Sequence, residues 1–189
     1  MVRSSVLNEN FWLNKKVFLT GHTGFKGSWL SIWLKMLGVE LAGFSLKEHT
    51  NPSLFHEAKV GDNMLSLYGD IRDFSALDRA ITAFKPDIII HMAAQPLVRQ
   101  SYLEPVKTFE TNVMGTVNLF EVARKVESVK AILNITTDKC YENNEWQWGY
   151  REYEPLGGHD PYSSSKACSE LVTNAYRQSF LQKNDVFIA

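Results

Sequence analysis

Residues 15–27 read KKVFLTGHTGFKG. The first six residues form a short, mostly apolar run, which is typical of a strand buried on both faces of a parallel sheet. Three glycines follow it, and residues 28–37 then place apolar side chains at helical spacing before Gly38 ends the run. The stretch therefore predicts a strand, a tight glycine turn and a helix, in that order.

A strand, glycine turn and helix together suit the pyrophosphate of a dinucleotide. Glycine lets the backbone approach the phosphates, and the free N–H groups and positive end of the helix dipole stabilise their charge. A merely tight turn is the alternative. A mononucleotide P-loop is disfavoured, because its lysine follows the last glycine whereas Lys26 precedes Gly27. The cofactor contacts predicted from this turn are Gly21, His22, Thr23, Gly24, Phe25, Lys26 and Gly27.

Beyond the glycine turn, apolar strands alternate with helices. The predicted strands are 39–46, 64–68, 88–91 and 131–135, and the longer predicted helices are 74–84, 105–126 and 161–180. This alternation predicts an α/β fold with a doubly wound, Rossmann-type parallel sheet, whose ligands lie beyond the carboxyl ends of the strands. Residues 184–189 read as a turn and the start of another buried strand. We therefore expect residues 1–189 to form one NAD(P)-binding domain that ends within the fold, with a C-terminal substrate domain absent from this chain.

Composition narrows the class of protein. The chain has 189 residues, 44% hydrophobic, and a formal net charge of -1, so nothing global favours nucleic acid or an anionic membrane as a partner. Cys140 and Cys168 are too few for a disulfide scaffold, which favours a reducing, cytoplasmic setting. Residues 1–14 lack the apolar core of a signal peptide, and no membrane-spanning run follows. The histidines and cysteines show no metal-ligand spacing, so we predict no metal.

The end of the second predicted strand bears on the cofactor. An acid usually stands there to bind the ribose hydroxyls, but residues 43–47 read GFSLK. Ser45 can hydrogen-bond a hydroxyl, and Lys47 could favour an extra phosphate. These residues alone leave NAD and NADP both open. In the turn, His22 is either a polar phosphate contact or a neutral loop residue.

Two later segments carry residues suited to catalysis: TTDK at 136–139 and YSSSK at 162–166. Tyr162 and Lys166 are four residues apart at the start of a helix and share one face. A nearby ammonium favours the phenolate, which makes Tyr162 a usable base for a sugar hydroxyl. Alone, Tyr-x-x-x-Lys is common on helix surfaces; its place after a glycine turn and a strand ending in Thr-Thr favours a catalytic site.

These elements resemble the extended short-chain dehydrogenase/reductase family over nearly the whole chain, including its T-G-x-x-G-F-x-G turn. The resemblance implies NAD as cofactor, with Thr137, Tyr162 and Lys166 in catalysis. The further cofactor contacts that it implies, beside Tyr162 and Lys166 themselves, are Asp70, Ile71, Ala93, Ala94, Gln95 and Asn112. An Asp after glycine is equally common as turn chemistry, and Asn within a helix asks for a packing or site explanation.

The substrate is indicated by fewer residues. Sugar-nucleotide 4,6-dehydratases carry Thr-Asp-Glu after the fifth strand, whereas the related 4-epimerases have no acid there. This chain has Thr137-Asp138-Lys139. With WGYRE at 148–152 and PLGGHDPY at 155–162, this resembles the CDP-glucose 4,6-dehydratase branch. The resemblance implies a nucleotide-sugar substrate, with CDP-glucose favoured, and a homodimer formed through helices 105–126 and 161–180, although the apolar faces of those helices could simply be core.

The implied reaction oxidises C4 transiently with NAD, eliminates water across C5 and C6, and returns hydride to C6. Tyr162, assisted by Thr137, takes the C4 hydroxyl proton, and Asp138 protonates the departing C6 hydroxyl. Lys139 either takes the C5 proton, if its ammonium is deprotonated, or stabilises the enolate. A nucleotide-sugar 4-epimerase and a non-catalytic dinucleotide-binding module are the alternatives. Four aromatic residues either shape a substrate pocket or pack their loop, namely Trp146, Trp148, Tyr150 and Tyr153.

Overall fold

The computed structural model describes residues 9–181 and 185–189. Its strands form one parallel sheet in the order β3-β2-β1-β4-β5-β6. They are β1 (Lys16–Thr20), β2 (Glu40–Ser45), β3 (Leu65–Tyr68), β4 (Ile88–His91), β5 (Ala131–Asn134) and β6 (Phe187–Ile188). Chain order reverses between β1 and β4, which confirms the predicted doubly wound topology. Asn184, at the predicted final turn, lies outside the described residues.

Helices join the strands, as parallel pairing requires. They are α1 (Glu9–Trp12), α2 (Phe25–Met36), α3 (Leu54–Glu57), α4 (Phe74–Phe84), α5 (Val98–Leu103), α6 (Pro105–Phe109), α7 (Gly115–Ala123) and α8 (Pro161–Tyr176). The helix predicted over 105–126 contains a π-helical turn, Glu110–Met114, between α6 and α7. A second π-helical turn, Arg177–Leu181, follows α8. Within the described residues, no helix is both long and apolar enough to cross a membrane.

The sheet is packed on both faces. Phe18, Ile89 and Ile132 are buried in a core with side chains of α4, α7 and α8. Val17 and Leu19 face the other way and pack against α2 through Leu34. Burying one such large apolar side chain stabilises the fold by about 1.5–3 kcal/mol, so this alternation fixes the register of the strands.

The register aligns the carboxyl ends of three strands, which lie together at one edge of the sheet. Thr20, His91 and Asn134 are aligned across β1, β4 and β5. Aspartates begin two of the helices: Asp73 accepts from the backbone N–H of Ala76, and Asp160 accepts from that of Ser163. The second cap starts α8 just before Tyr162, as the sequence predicts.

Candidate active site

Two glycines of the turn are required by packing inside the protein. Gly21 has φ +79°, and a Cβ there would lie 2.9 Å from the backbone nitrogen of Ala93. A Cβ at Gly27 would lie 2.1 Å from the carbonyl oxygen of Gly21. The turn, the start of α2 and the segment after β4 are therefore in direct backbone contact.

Gly24 differs from these two glycines. Its φ of −71° suits any residue, and a Cβ would have only the Gly21 oxygen within 4 Å, at 3.4 Å. The N–H groups of residues 25–27 have no acceptor in the described part of the chain, and neither a capping side chain nor an acid stands in the first turn of α2. Open backbone at a helix N-terminus is the environment that a pyrophosphate needs, so this turn fits the phosphates of a dinucleotide.

Ser45 lies beside the turn, and its hydroxyl proton is already used in a hydrogen bond within the protein. Thr23 Oγ1 donates to the Leu46 carbonyl at 2.8 Å. A hydroxyl has one proton, so in the contact of 2.8 Å between Thr23 Oγ1 and Ser45 Oγ the serine is the donor. Ser45 can then only accept a hydrogen bond from a ribose hydroxyl. Lys47 Nζ lies 5.7 Å from the centre of the Tyr68 ring.

The His22 side chain is fully buried beneath the turn. Its Nε2 lies 2.8 Å from Ser66 Oγ, and its ring fills the space over Gly43, where a Cβ would be 2.3 Å away. Burial lowers the pKa of His22 to about 4, against an opposing effect of Glu48. The side chain thus packs within the protein, which leaves the backbone of His22 for a phosphate.

Asp70 lies at the end of β3, where its carboxylate binds Arg72. Arg72 Nη2 donates to Asp70 Oδ2 at 2.7 Å, and this guanidinium holds the pKa of Asp70 below its ordinary value. Ile71 is buried against Gly115. The backbone N–H of Arg72 also donates to Asp70 Oδ1 at 2.9 Å, which is the hydrogen bond of an Asp turn. Any contact with adenine therefore has to share the carboxylate with Arg72.

Asn112 lies in the π-helical turn and hydrogen-bonds two other segments of the chain. Its Oδ1 accepts from the backbone N–H of Gln95 at 2.8 Å, and its Nδ2 donates to the Gln95 carbonyl at 3.1 Å and to Ser165 Oγ at 2.8 Å. One buried amide thus fixes the segment after β4, which contains Ala93 and Ala94, and joins it to α8.

A buried network around His91 was not predicted from the sequence. Thr116 Oγ1 donates to the Asn112 carbonyl at 2.8 Å, so His91 Nε2 must donate to Thr116 at 3.2 Å. His91 Nδ1 then accepts from Thr20 Oγ1 at 2.7 Å. Burial, with a smaller effect of Lys166, lowers the pKa of His91 to about 3, which agrees with this neutral tautomer. Thr20 Oγ1 also accepts from the N–H groups of residues 92 and 93, so the network holds the chain beside the glycine turn.

Tyr162 and Lys166 lie on the first turns of α8. Lys166 is 6% exposed, and its Nζ donates to the carbonyl of Ile135, just beyond β5, at 3.1 Å. Burial lowers the pKa of Lys166 to about 8, against an opposing effect of Glu170. Tyr162 is half-buried one turn earlier. No hydrogen bond joins it to Thr137 in the described residues.

The turn after β5 packs against α8 and carries the other predicted catalytic residues. Thr137 Oγ1 donates to Asp138 Oδ1 at 3.0 Å, and Lys139 Nζ lies 3.6 Å from the same oxygen. The Thr137 hydrogen bond, with the Lys139 charge, holds the pKa of Asp138 below its ordinary value. The side chain of Asp138 is 86% exposed, so in this chain it is a solvated carboxylate.

The aromatic residues of the following loop stack on one another. Tyr141 and Tyr150 stack with ring centres 5.5 Å apart, and Trp146 lies 5.8 Å from Tyr150 and 5.5 Å from Trp148. These contacts favour loop packing for three of the four aromatic residues that the sequence left open, while the fourth, Tyr153, is 80% exposed. Among the described residues, no cluster of three potential ligands could hold a metal ion.

Known proteins resemble this chain in sequence. Residues 18–183 match the family model described as GDP-mannose 4,6 dehydratase. The chain is 58% identical over 175 residues to CDP-glucose 4,6-dehydratase of Salmonella typhimurium, a match that covers 93% of this chain and 49% of that protein. The chain thus spans about half the length of the curated relatives it matches.

Solved structures show the same fold. DesIV, a dTDP-glucose 4,6-dehydratase of Streptomyces venezuelae with NAD and TYD bound, is 28% identical with a TM-score of 0.76, over 92% of this chain and 54% of DesIV. A UDP-Glc/GlcNAc 4-epimerase of Campylobacter jejuni has a TM-score of 0.79 at 23% identity, over 93% of this chain and 52% of the epimerase, which shows the fold alone. With its match to the family model over residues 18–183, the chain belongs to the GDP-mannose 4,6-dehydratase family of extended short-chain dehydrogenases/reductases.

Proposed function

We propose that this chain is the dinucleotide-binding part of an NAD-dependent sugar-nucleotide 4,6-dehydratase that acts on CDP-glucose. One observation carries the proposal. The helix with Tyr162 and the buried Lys166 packs against the turn with Asp138, at the edge of the sheet where the open glycine turn also lies. A relative that is 58% identical is a CDP-glucose 4,6-dehydratase, which supports the same substrate here.

NAD is the cofactor that we assign to the glycine turn. When bound, it would accept hydride at C4 of the sugar and return it at C6. The open backbone at Gly24 suits its pyrophosphate, Ser45 can accept from a ribose hydroxyl, and the segment fixed by Asn112 borders the same space. The NAD found in DesIV supports this choice over NADP.

Tyr162 takes the proton of the C4 hydroxyl in the first step. Lys166, one helical turn away, supplies the positive charge that favours the phenolate. The burial that lowers the pKa of Lys166 to about 8 also strengthens its electrostatic effect, because less water screens it. Thr137 is the hydroxyl assigned to assist at the same oxygen.

Asp138 protonates the C6 hydroxyl as it leaves. This role requires the pKa of Asp138 to rise above its value in the chain alone, and desolvation by a bound sugar acts in that direction. Lys139, 3.6 Å from the carboxylate, either takes the C5 proton or stabilises the enolate. Both roles for Lys139 stay open.

Asp138 and Tyr162 are separable by mutation. We expect D138N in the whole protein to impair loss of water more than oxidation at C4, so reduced cofactor accumulates and absorbs at the wavelength of NADH. Y162F suppresses both steps, because the base is absent. The measurement is single-turnover absorbance with product analysis. Equal loss of the two steps in D138N would contradict the assigned roles.

The substrate is tested with the whole protein and three sugar nucleotides. CDP-glucose, UDP-glucose and dTDP-glucose are incubated with and without added NAD, and products are identified by mass spectrometry. The proposal predicts a 4-keto-6-deoxy product from CDP-glucose in preference to the others. A product that keeps the C6 oxygen would identify a 4-epimerase, and cofactor binding without turnover of any sugar would identify a non-catalytic module.

The setting and assembly of the whole protein are also proposals. Cys140 and Cys168 are unpaired in the structure, in agreement with a reducing, cytoplasmic setting. A homodimer through the α6–α7 and α8 surfaces is supported by exposed apolar side chains there, namely Val106, Met114 and Leu171.

A further inference from the structure

Helix α8 holds the exit of β5 at two consecutive residues. Lys166 Nζ donates to the Ile135 carbonyl at 3.1 Å. Thr136 Oγ1 donates to Glu170 Oε1. Lys166 and Glu170 are four residues apart and therefore share one face of the helix. The next residue along the chain, Thr137, begins the turn that carries Asp138, so these two contacts set where that turn starts.

Glu170 is also the carboxylate that acts on the buried Lys166 ammonium. Within the described part of the chain, its charge opposes the effect of burial on the pKa of Lys166. From β4, His91 is neutral, because its pKa lies at about 3. From the turn after β5, Cys140 faces the same carboxylate as a thiol, because burial raises its pKa, and Asp138 is exposed. Tyr162 shares the helix with Lys166.

We propose that Glu170 is a positioning residue of the active site, which ties Thr136 to α8 and places a negative charge one helical turn from the Lys166 ammonium. A residue with this hydrogen bond and this charge couples the two halves of the site, since the same carboxylate holds the turn with Asp138 and acts electrostatically on the ammonium behind Tyr162. The inference rests on the proposed function for its catalytic consequence. Its electrostatic part can be measured without turnover.

Two substitutions separate the hydrogen bond between Thr136 and Glu170 from the charge of Glu170. E170Q keeps an oxygen that accepts from Thr136 but removes the charge, whereas T136V removes the hydroxyl and keeps the charge. E40Q is the matched control for the lost charge, because Glu40 pairs with Lys16 at the opposite edge of the sheet. T136S is the rescue variant, because it restores a hydroxyl at the same position.

The first readout is the titration of Lys166 in the whole protein, followed by NMR of ¹³C-labelled lysine side chains and assigned with K166R. Removing a nearby carboxylate disfavours the ammonium, so E170Q lowers the Lys166 midpoint, by about half a pH unit or more. E40Q and T136V leave the midpoint at the wild-type value. An unchanged midpoint in folded E170Q would overturn the electrostatic role, whether or not the protein turns over CDP-glucose.

The second readout is the split between kcat and KM. T136V lowers kcat about tenfold, as expected when a contact that orients the reacting groups is lost, with little change in KM for CDP-glucose, and T136S restores it. Full activity in T136V, or failure of T136S to restore activity, would overturn the positioning role even if E170Q does not fold. Absence of dehydratase activity in the wild type would instead refute the proposed function, and the titration would still decide the role of Glu170.

Discussion

Gly21 and Gly24 are three residues apart in one turn and are glycine for different reasons. Gly21 adopts a left-handed backbone with no room for a Cβ, so the fold itself requires it. Gly24 has an ordinary backbone and open space around its Cα, so its missing side chain serves whatever approaches the helix. The residue type is the same at both positions, and only the surrounding structure distinguishes a structural glycine from a ligand-facing one.

Alanine substitution tests this difference. We expect G24A to fold with a free energy of unfolding within about 0.5 kcal/mol of wild type, since the new methyl group meets only the Gly21 oxygen, at an ordinary contact distance of 3.4 Å. Its affinity for NAD falls about tenfold or more, equivalent to about 1.4 kcal/mol, because the methyl group stands where the phosphates approach. G21A instead loses stability, from left-handed strain of about 1–2 kcal/mol and backbone overlap.

Calorimetry with NAD and urea denaturation of the whole protein give the two quantities. G149A is the control, because a Cβ at Gly149 meets nothing within 4 Å and lies on a different loop. Wild-type affinity for NAD in G24A would show that the pyrophosphate does not contact this turn.

The two buried histidines make stability depend on pH. The pKa of His22 is lowered to about 4 and that of His91 to about 3, from an ordinary value of 6.5. As the pH falls below about 6.5, the unfolded chain binds protons that the folded chain does not, so the stability present above that pH is lost towards pH 4. Each histidine contributes up to about 1.4 kcal/mol per pH unit in this window.

The variant H22N reports this effect directly. We expect the slope of unfolding free energy against pH, between pH 6.5 and 4, to be shallower than in wild type by about one proton. H49N, which changes an exposed histidine, keeps the wild-type slope. Urea denaturation at a series of pH values gives both slopes. A wild-type slope in H22N would mean that folding does not lower the pKa of His22.

At the scale of elements, sequence patterns predicted the helix starts well and the helix interiors poorly. Asp73 and Asp160 stand directly before the predicted helices 74–84 and 161–180, and both accept from the backbone N–H three residues on. Asn112 is unfavourable within a helix, but its partners, Gln95 and Ser165, lie far away in sequence and could not be predicted from the helix alone. Spacing along one segment carries the 3.6-residue period, whereas a π-helical turn depends on groups that other segments supply.

The two caps make a matched pair for mutation. D73A and D160A should each cost about 1 kcal/mol of stability, since each leaves helix N–H groups without their acceptor. Only D160A should also lower kcat, because its helix positions Tyr162. Thermal denaturation and steady-state kinetics of the whole protein measure the two effects. Equal kcat in the two variants would mean that the start of α8 does not position the base.

At the scale of the molecule, the doubly wound parallel sheet followed from the alternation of strands and helices. The site was predicted as separate motifs, and the groups that join them were missed. His91 ended an apolar strand and gave no sign that it would bond Thr20 and Thr116. Glu170 lay on a helix already assigned through Tyr162 and Lys166. Both connect residues of distant segments, which local periodicity does not record.

The central claim is that the tyrosine, lysine and aspartate at this edge support the proton transfers of a reaction in which NAD, when bound, would carry one hydride from C4 to C6 of the same sugar. The most direct test gives the whole protein CDP-glucose deuterated at C4 and locates the deuterium by NMR. The account predicts a 4-keto-6-deoxy product with deuterium at C6. A product without deuterium at C6, or one that retains its C6 oxygen, would contradict it.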